Sequence, residues 1–177
     1  MDKSIEQKML VLRQKIRKLD SALVAFSGGV DSTFLMRICR EELGDKAVAV
    51  TSITDDYPSS EIDIARQIAK IVGVTHIVLD RQSSLKSPRF GSSKLYSTLK
   101  SVAMRMKLKN IINGFHLDDL NTRSMHLLAA KQAKVKSPLL ESNLSKAEIY
   151  LLAKELGTLN LSVKSKRKHS NNKRKKK

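Results

Sequence analysis

Cysteine is nearly absent: Cys39 is the one example in 177 residues. A single thiol excludes an intrachain disulfide framework and any multi-cysteine zinc or iron–sulfur site held by one chain. It fits a reducing compartment. Tryptophan is missing, and three tyrosines and four phenylalanines leave little material for a base-stacking surface. No apolar run approaches the ~18–20 residues that span a bilayer. The opening MDKSIEQKMLVLRQKIRKLD alternates charged and apolar residues, unlike a signal peptide. These absences predict a soluble, cytoplasmic chain with no membrane partner. At this length one domain buries roughly 70% of its unfolded surface and needs no disulfide or metal to fold.

Acidic residues also run out, since none follows Glu155. The net charge of +17 is therefore uneven, with nine of the 34 basic residues lying between Lys164 and Lys177. Such an end is expected to be solvated, and a nucleic-acid backbone is the partner its charge would suit. The expected organisation is a domain over 1–157 and a basic, disordered tail over 158–177.

What is present is an ordered alternation. Ile5, Met9, Leu12, Ile16 and Leu19 form one helical stripe. Ala22–Phe26 reads as a buried strand, Asp31–Leu43 as a helix closed by Gly44, Lys46–Ile53 as a strand and Pro58–Val72 as a helix before Gly73. Val74–Leu79 and Asn110–Asn113 supply further strands, with helices expected over Ser93–Leu108, Thr122–Lys134 and Ser145–Leu156. Continuous apolar strands alternating with helices predict an α/β fold, a Rossmann-like, doubly wound parallel sheet of about five strands with helices on both faces. Such sheets bind ligands beyond the carboxyl ends of their strands.

The first strand–helix junction is the glycine-rich one: Ala25-Phe26-Ser27-Gly28-Gly29-Val30-Asp31-Ser32-Thr33. Two glycines permit a sharp turn and close backbone approach. The helix behind them offers unpaired N–H groups, and Ser27, Ser32 and Thr33 add hydroxyls, so the segment forms an anion cup. A helix N-terminus contributes only ~0.3–2 kcal/mol to an anion, against about 4 kcal/mol for millimolar affinity. Many backbone donors and a cation are needed, which gives Asp31 a reason to be there. On spacing alone the segment also reads as a plain tight turn with Asp31 as a first-turn acid. It carries neither a Walker A GK[ST] nor a G-x-G-x-x-G pattern.

SGGVDS at 27–32, after an apolar strand, resembles the pyrophosphate loop of the PP-loop ATP pyrophosphatases, a superfamily that includes the GMP and NAD synthetases. The likeness extends to Thr51-Ser52 at the end of the second strand, with Tyr57-Pro58 and Glu61 beyond it. It continues through Gly114 to Asp118-Asp119-Leu120 and the block from Val135 to Gly157. Across residues 20–157 the chain is most similar to the ATP-dependent sacrificial sulfur transferases (LarE-type). The resemblance implies ATP as substrate with Mg²⁺, and adenylation of an acceptor, a carboxylate in this reading, with release of pyrophosphate. It implies nucleotide contacts from Ala25, Phe26, Ser27, Gly28, Gly29, Asp31, Ser32, Thr51, Ser52 and Gly114. Asp31 and Asp118 then serve as metal-holding and catalytic carboxylates.

Three departures from that family qualify the expectation. Ser87–Lys94 contains no cysteine, Asn121–His126 replaces the aspartate and RPG triplet after the DDL run, and the sequence beyond Gly157 becomes basic. Cys39 falls among Leu35, Ile38 and Leu43 on a helix, a packing position, so sulfur donation by this thiol is not expected. The composition shift near residue 158 fits a shortened or frame-shifted gene. Two other readings therefore stand beside the first: a tRNA-modifying enzyme that grips RNA through its tail, and an inactive nucleotide-binding remnant. The acceptor is an unknown small molecule, and the oligomeric state is open.

Overall fold

The computed structural model describes residues 3–53, 59–80 and 91–161. Helix α1 (Lys3–Arg17) precedes strand β1 (Ala22–Ala25), and α2 (Val30–Leu43) leads through one 3-10 turn to β2 (Ala47–Ile53). Then come α3 (Ser59–Val72), β3 (Thr75–Asp80), α4 (Gly91–Arg105) and β4 (Asn110–Ile112). Two short helices, α5 (Asp119–Thr122) and α7 (Pro138–Glu141), flank α6 (Ser124–Gln132), and α8 (Lys146–Glu155) follows.

The four strands are all parallel, in the order β3-β2-β1-β4. Because the first strand is central, with β2 on one side and β4 on the other, the chain reverses its winding there. That opens a crevice beyond the carboxyl ends of β1 and β4. A fifth strand was expected. Among the described residues it is reduced to one parallel bridge, Ile112 to Lys136, because Pro138 starts α7 two residues later and cannot donate to a ladder.

Side chains alternate across the sheet. Ala22, Val24, Ala47 and Ala49 face a layer made by α1, α2, α3, α7 and α8, where Leu12, Ile16, Phe34, Leu35, Ile38 and Ile68 are fully buried. Leu23, Val48, Val50 and Ile111 face the opposite layer, built on Tyr96, Leu99 and Ala103 of α4 and Ala130 of α6. Because α2 follows β1 directly, its N-terminus lies at the carboxyl end of that strand, where Lys146 at the start of α8 reaches Asp31.

The helix expected over Thr122–Lys134 is instead two pieces, α5 and α6, joined at Arg123, whose φ of −132° and ψ of 32° leave the helical region. Asp119, 6% exposed, draws the chain inward there, because its carboxylate accepts the His116 backbone N–H at 3.0 Å. Packing also runs past Gly157, where the folded unit was expected to stop. The Thr158 hydroxyl donates to the Ala153 carbonyl, and Leu159 and Leu161 lie against the first-face core. Tyr57-Pro58, Ser87–Phe90 and the tail from Ser162 on, including Lys164–Lys177, lie outside the described residues, as do the side chains of Gly91–Lys94. No described helix is long and apolar enough to cross a membrane.

Candidate nucleotide site at the carboxyl end of β1

The glycine-rich loop is organised by its own serines. Ser32 Oγ lies 3.1 Å from Ser27 Oγ, accepts the Ser27 N–H at 3.3 Å and donates to the Gly29 carbonyl at 3.2 Å. Ser27 Oγ in turn accepts the Gly29 N–H at 3.4 Å. The positive φ that only glycine adopts readily falls at Gly28 (+76°), whereas Gly29 is an ordinary extended N-cap with φ of −74°. The N-cap of α2 is Gly29, which has no side chain to cap the helix, so that position leaves its first-turn donors to other acceptors.

Two neighbours hold the loop close. A Cβ on Gly28 would lie 3.5 Å from Cα and Cβ of Ala65 in α3, and one on Gly114 would lie 3.5 Å from the Ser32 nitrogen. The turn after β4 therefore rests against the start of α2, and a larger residue at 114 would enter the cup. The expected hydroxyl of Thr33 is not part of it: Thr33 is fully buried, its Oγ1 without a hydrogen-bond partner among the described residues.

At the sheet, the Phe26 N–H donates to the Val50 carbonyl at 2.8 Å, and the Phe26 carbonyl accepts the Thr51 hydroxyl at 2.7 Å. Phe26 is only 3% exposed, so it offers a ligand its position and little else. Ala25 and Ser52 are half-buried at the ends of β1 and β2. The single proton of Thr51 is committed to Phe26, so His76 Nε2, 2.8 Å from Thr51 Oγ1, must be the donor to it. His76 is thereby held as the Nε2–H tautomer with its ring edge-on to Phe26. Burial, with Arg66 nearby, holds its pKa below the ordinary histidine value. On sequence alternation alone His76 is a structural strand residue; its role is to buttress the start of the loop through Thr51.

The two carboxylates expected to hold a cation converge on one residue that sequence reasoning did not single out. Lys146 Nζ lies 2.5 Å from Asp31 Oδ2, while the Lys146 backbone N–H donates to Asp118 Oδ2 at 2.7 Å. Asp31 and Asp118 are thus within the span of a single lysine. The lysine is placed by α8, whose N-cap Ser145 and Glu148 form a reciprocal capping box. Leu144, Ile149 and Leu152 bury the same segment. Asp118 precedes α5 but makes no side-chain cap there. It satisfies the first orphan N–H of α8 instead, and that hydrogen bond, with His116 beside it, holds its carboxyl below the usual range. His116 is 7% exposed, with Nδ1 3.4 Å from Asp118 and Nε2 3.5 Å from Asp119.

Asp31 Oδ1 is buried with no hydrogen-bond partner among the described residues, which leaves it a lone-pair oxygen at the mouth of an anion cup. Among the described residues no three His, Cys, Asp or Glu side chains gather as a metal site. The donor set therefore fits a hard cation carried in by phosphate oxygens and water, with one or two carboxylates completing its shell. Cys39 is fully buried and its thiol pKa is pushed well up by desolvation, which makes it a poor nucleophile.

The family model described as queuosine biosynthesis protein QueC matches residues 21–113. An uncharacterized protein of Synechocystis sp. is 32% identical over 163 residues, covering 86% of this chain and 60% of that protein. The pyridinium-3,5-bisthiocarboxylic acid mononucleotide synthase of Lactiplantibacillus plantarum is 28% identical over 167 residues, 89% of this chain and 60% of that one. The chain thus spans about three fifths of the length of both relatives. In fold it is similar to NMN synthetase from Francisella tularensis, with a TM-score of 0.73 at 15% identity, over 91% of this chain and 74% of that one. With the SGGVDS loop, the strand order and these matches in agreement, the chain belongs to the PP-loop ATP pyrophosphatases, as a member of the QueC-like family among them.

Proposed function

We propose that the chain binds ATP with Mg²⁺ in the 27–32 cup and transfers the adenylyl group to a carboxylate acceptor, releasing pyrophosphate. The observation that carries this reading is the meeting of Asp31, Asp118 and Lys146 at the open N-terminus of α2, directly beyond β1. The backbone donors of Gly28 to Ser32 suit the β- and γ-phosphates. Ser52 and Gly114, at neighbouring strand ends, would border the nucleoside, whereas the expected contact from Thr51 is replaced by support from behind, since it is buried with its hydroxyl on the Phe26 carbonyl.

In the proposed reaction a carboxylate oxygen attacks the α-phosphorus and forms a new P–O bond. The bond from that phosphorus to the bridging oxygen breaks, and pyrophosphate leaves with the electron pair. A bound Mg²⁺ would neutralise charge on the departing phosphates. Asp31, through its unpartnered oxygen, and Asp118 are the residues that would hold it. Lys146 would supply a second positive charge to the same oxygens once Asp31 turns to the cation. A carboxylate acceptor is already a nucleophile, so no general base is required, and most of the acceleration comes from alignment and charge.

The likeness to a pyridinium-3,5-bisthiocarboxylic acid mononucleotide synthase supports a heteroaromatic carboxylate as acceptor. Sulfur transfer from this chain's own Cys39 is not part of the proposal, given its burial. The test is release of pyrophosphate from ATP on adding pyridine carboxylic acid mononucleotides. Release that depends on the acid and is lost in Asp31→Ala is expected. Release without any acid, or none with ATP bound, would refute acceptor adenylation.

A further inference from the structure

The two helical layers differ sharply in charge. On the α1–α2–α3–α8 side the basic residues are largely matched by acids. Arg13 bonds Glu41 and Glu42, Arg17 bonds Glu42, Arg37 bonds Glu41, Lys8 bonds Glu148 and Arg40 bonds Asp45. On the α4–α6 side they are not. Between Leu95 and Leu140 the sequence holds eight Lys and Arg residues and two acids, Asp118 and Asp119, and both acids belong to the candidate site. Lys100, Arg105, Lys107, Lys131, Lys134 and Lys136 are all exposed. None of the six has an ion-pair partner among the described residues, in contrast to Lys109 with Asp20 and Arg123 with Asp119.

We propose that this α4–α6 face docks the phosphate backbone of a nucleic-acid duplex. Unmatched cations on adjoining helices repel one another and are relieved by a polyanion, which releases its own condensed counterions on binding. Helix-dipole compensation accounts for Arg105 and Lys131, in the last turns of α4 and α6. It does not account for Lys100 within α4 or for Lys134 and Lys136 beyond α6. The described part of the face exposes no Phe, Tyr or Trp side chain, which favours contact with paired, stacked strands over splayed single-stranded bases. Nor does it present the aromatic belt of a membrane-bound surface. The proposal is independent of the adenylation chemistry, because none of the six residues belongs to the nucleotide cup.

The test uses the full chain with its basic C-terminal residues intact. One variant carries Lys100→Gln, Arg105→Gln, Lys131→Gln and Lys134→Gln. A matched control carries Lys3→Gln, Lys18→Gln, Lys70→Gln and Lys154→Gln, exposed residues of the other layer with no ion pair among the described residues. Both lose the same charge, and circular dichroism checks that both fold. Binding of a fluorescent RNA duplex is followed by anisotropy across a salt series, beside phosphatidylserine vesicles. The face variant is expected to bind more than about tenfold more weakly near 0.1 M salt, with a log–log salt slope shallower by roughly 2–4. The control should shift the slope by less than about 1. Equal losses in both variants would overturn the proposal, since net charge alone would then act. So would no loss in either, no duplex binding by the parent chain, or a loss confined to the vesicles.

Discussion

Lys146 and Asp31 stand 115 residues apart in sequence and form a salt bridge of 2.5 Å at the mouth of the α2 N-terminus. The side chain of Asp31 is 21% exposed and that of Lys146 42%. In water a pair this open contributes under about 1 kcal/mol, so its worth lies in poise. In the proposed reaction it would keep a cation and a carboxylate beside the cup, each exchanging its partner once a metal-bound triphosphate occupied the site.

Lys146→Met should therefore separate binding from stability. Thermal denaturation is expected to move by no more than about 3 °C, given ~2–4 °C per kcal/mol for a domain of this size. ATP·Mg²⁺ affinity should fall by ten- to a hundredfold, the effect of losing one charge-assisted contact of about 1.5–3 kcal/mol. A large fall in stability with unchanged affinity would make Lys146 a mere strut.

Ala65→Leu tests the other wall of the loop. Ala65 is fully buried and its Cα and Cβ lie 3.5 Å from where a Gly28 Cβ would sit. Extra methyl groups there must push the loop away from α3. Overpacking of this kind costs roughly 1–3 kcal/mol, while nucleotide binding should be lost outright. Calorimetry on the folded variant reads the second effect, and a chemical denaturation curve reads the first.

His76 gives stability a pH dependence. Its folded-state pKa is held below the ordinary value by burial and by Arg66, so the neutral ring is the form that folding favours. The contribution is complete above the unfolded pKa of about 6.5 and is lost as pH falls through the lower folded value. Unfolding free energy should decline as pH falls below about 6.5. His76→Gln keeps a donor near Thr51 without a titrating ring, and should flatten that decline. An unchanged slope would assign it to another group.

Most of the fold is legible in the sequence because periodicity and punctuation agree there. The α2 helix stops at Gly44 and α3 at Gly73, both with positive φ, as their positions after apolar helical runs predict. The Ser27–Ser32 loop is equally legible, since two glycines between a strand and a helix admit few geometries. Lys146 is not. Its importance comes from α8 packing on α2 through buried Ile149 and Leu152, a contact between distant segments that no local pattern encodes. The break at Arg123 escapes for the same reason, because it follows from Asp119 turning inward to the His116 backbone. His76 looked like one more alternating strand residue. Only the register of β2 with β3, which pairs Thr51 with Val78 and Ala49 with His76, brings its ring to the Thr51 hydroxyl.

The central claim is that adenine nucleotide occupies the cup at the N-terminus of α2. The direct measurement is calorimetric titration of ATP with Mg²⁺ into the parent chain, Gly29→Arg and Asp31→Ala. Gly29 has an ordinary φ of −74°, so arginine there can fold and fill the cup. Micromolar binding that Gly29→Arg abolishes and Asp31→Ala weakens strongly is the predicted result. Unaltered binding in both variants, or none by the parent up to about 1 mM, a level worth only ~4 kcal/mol, would contradict it.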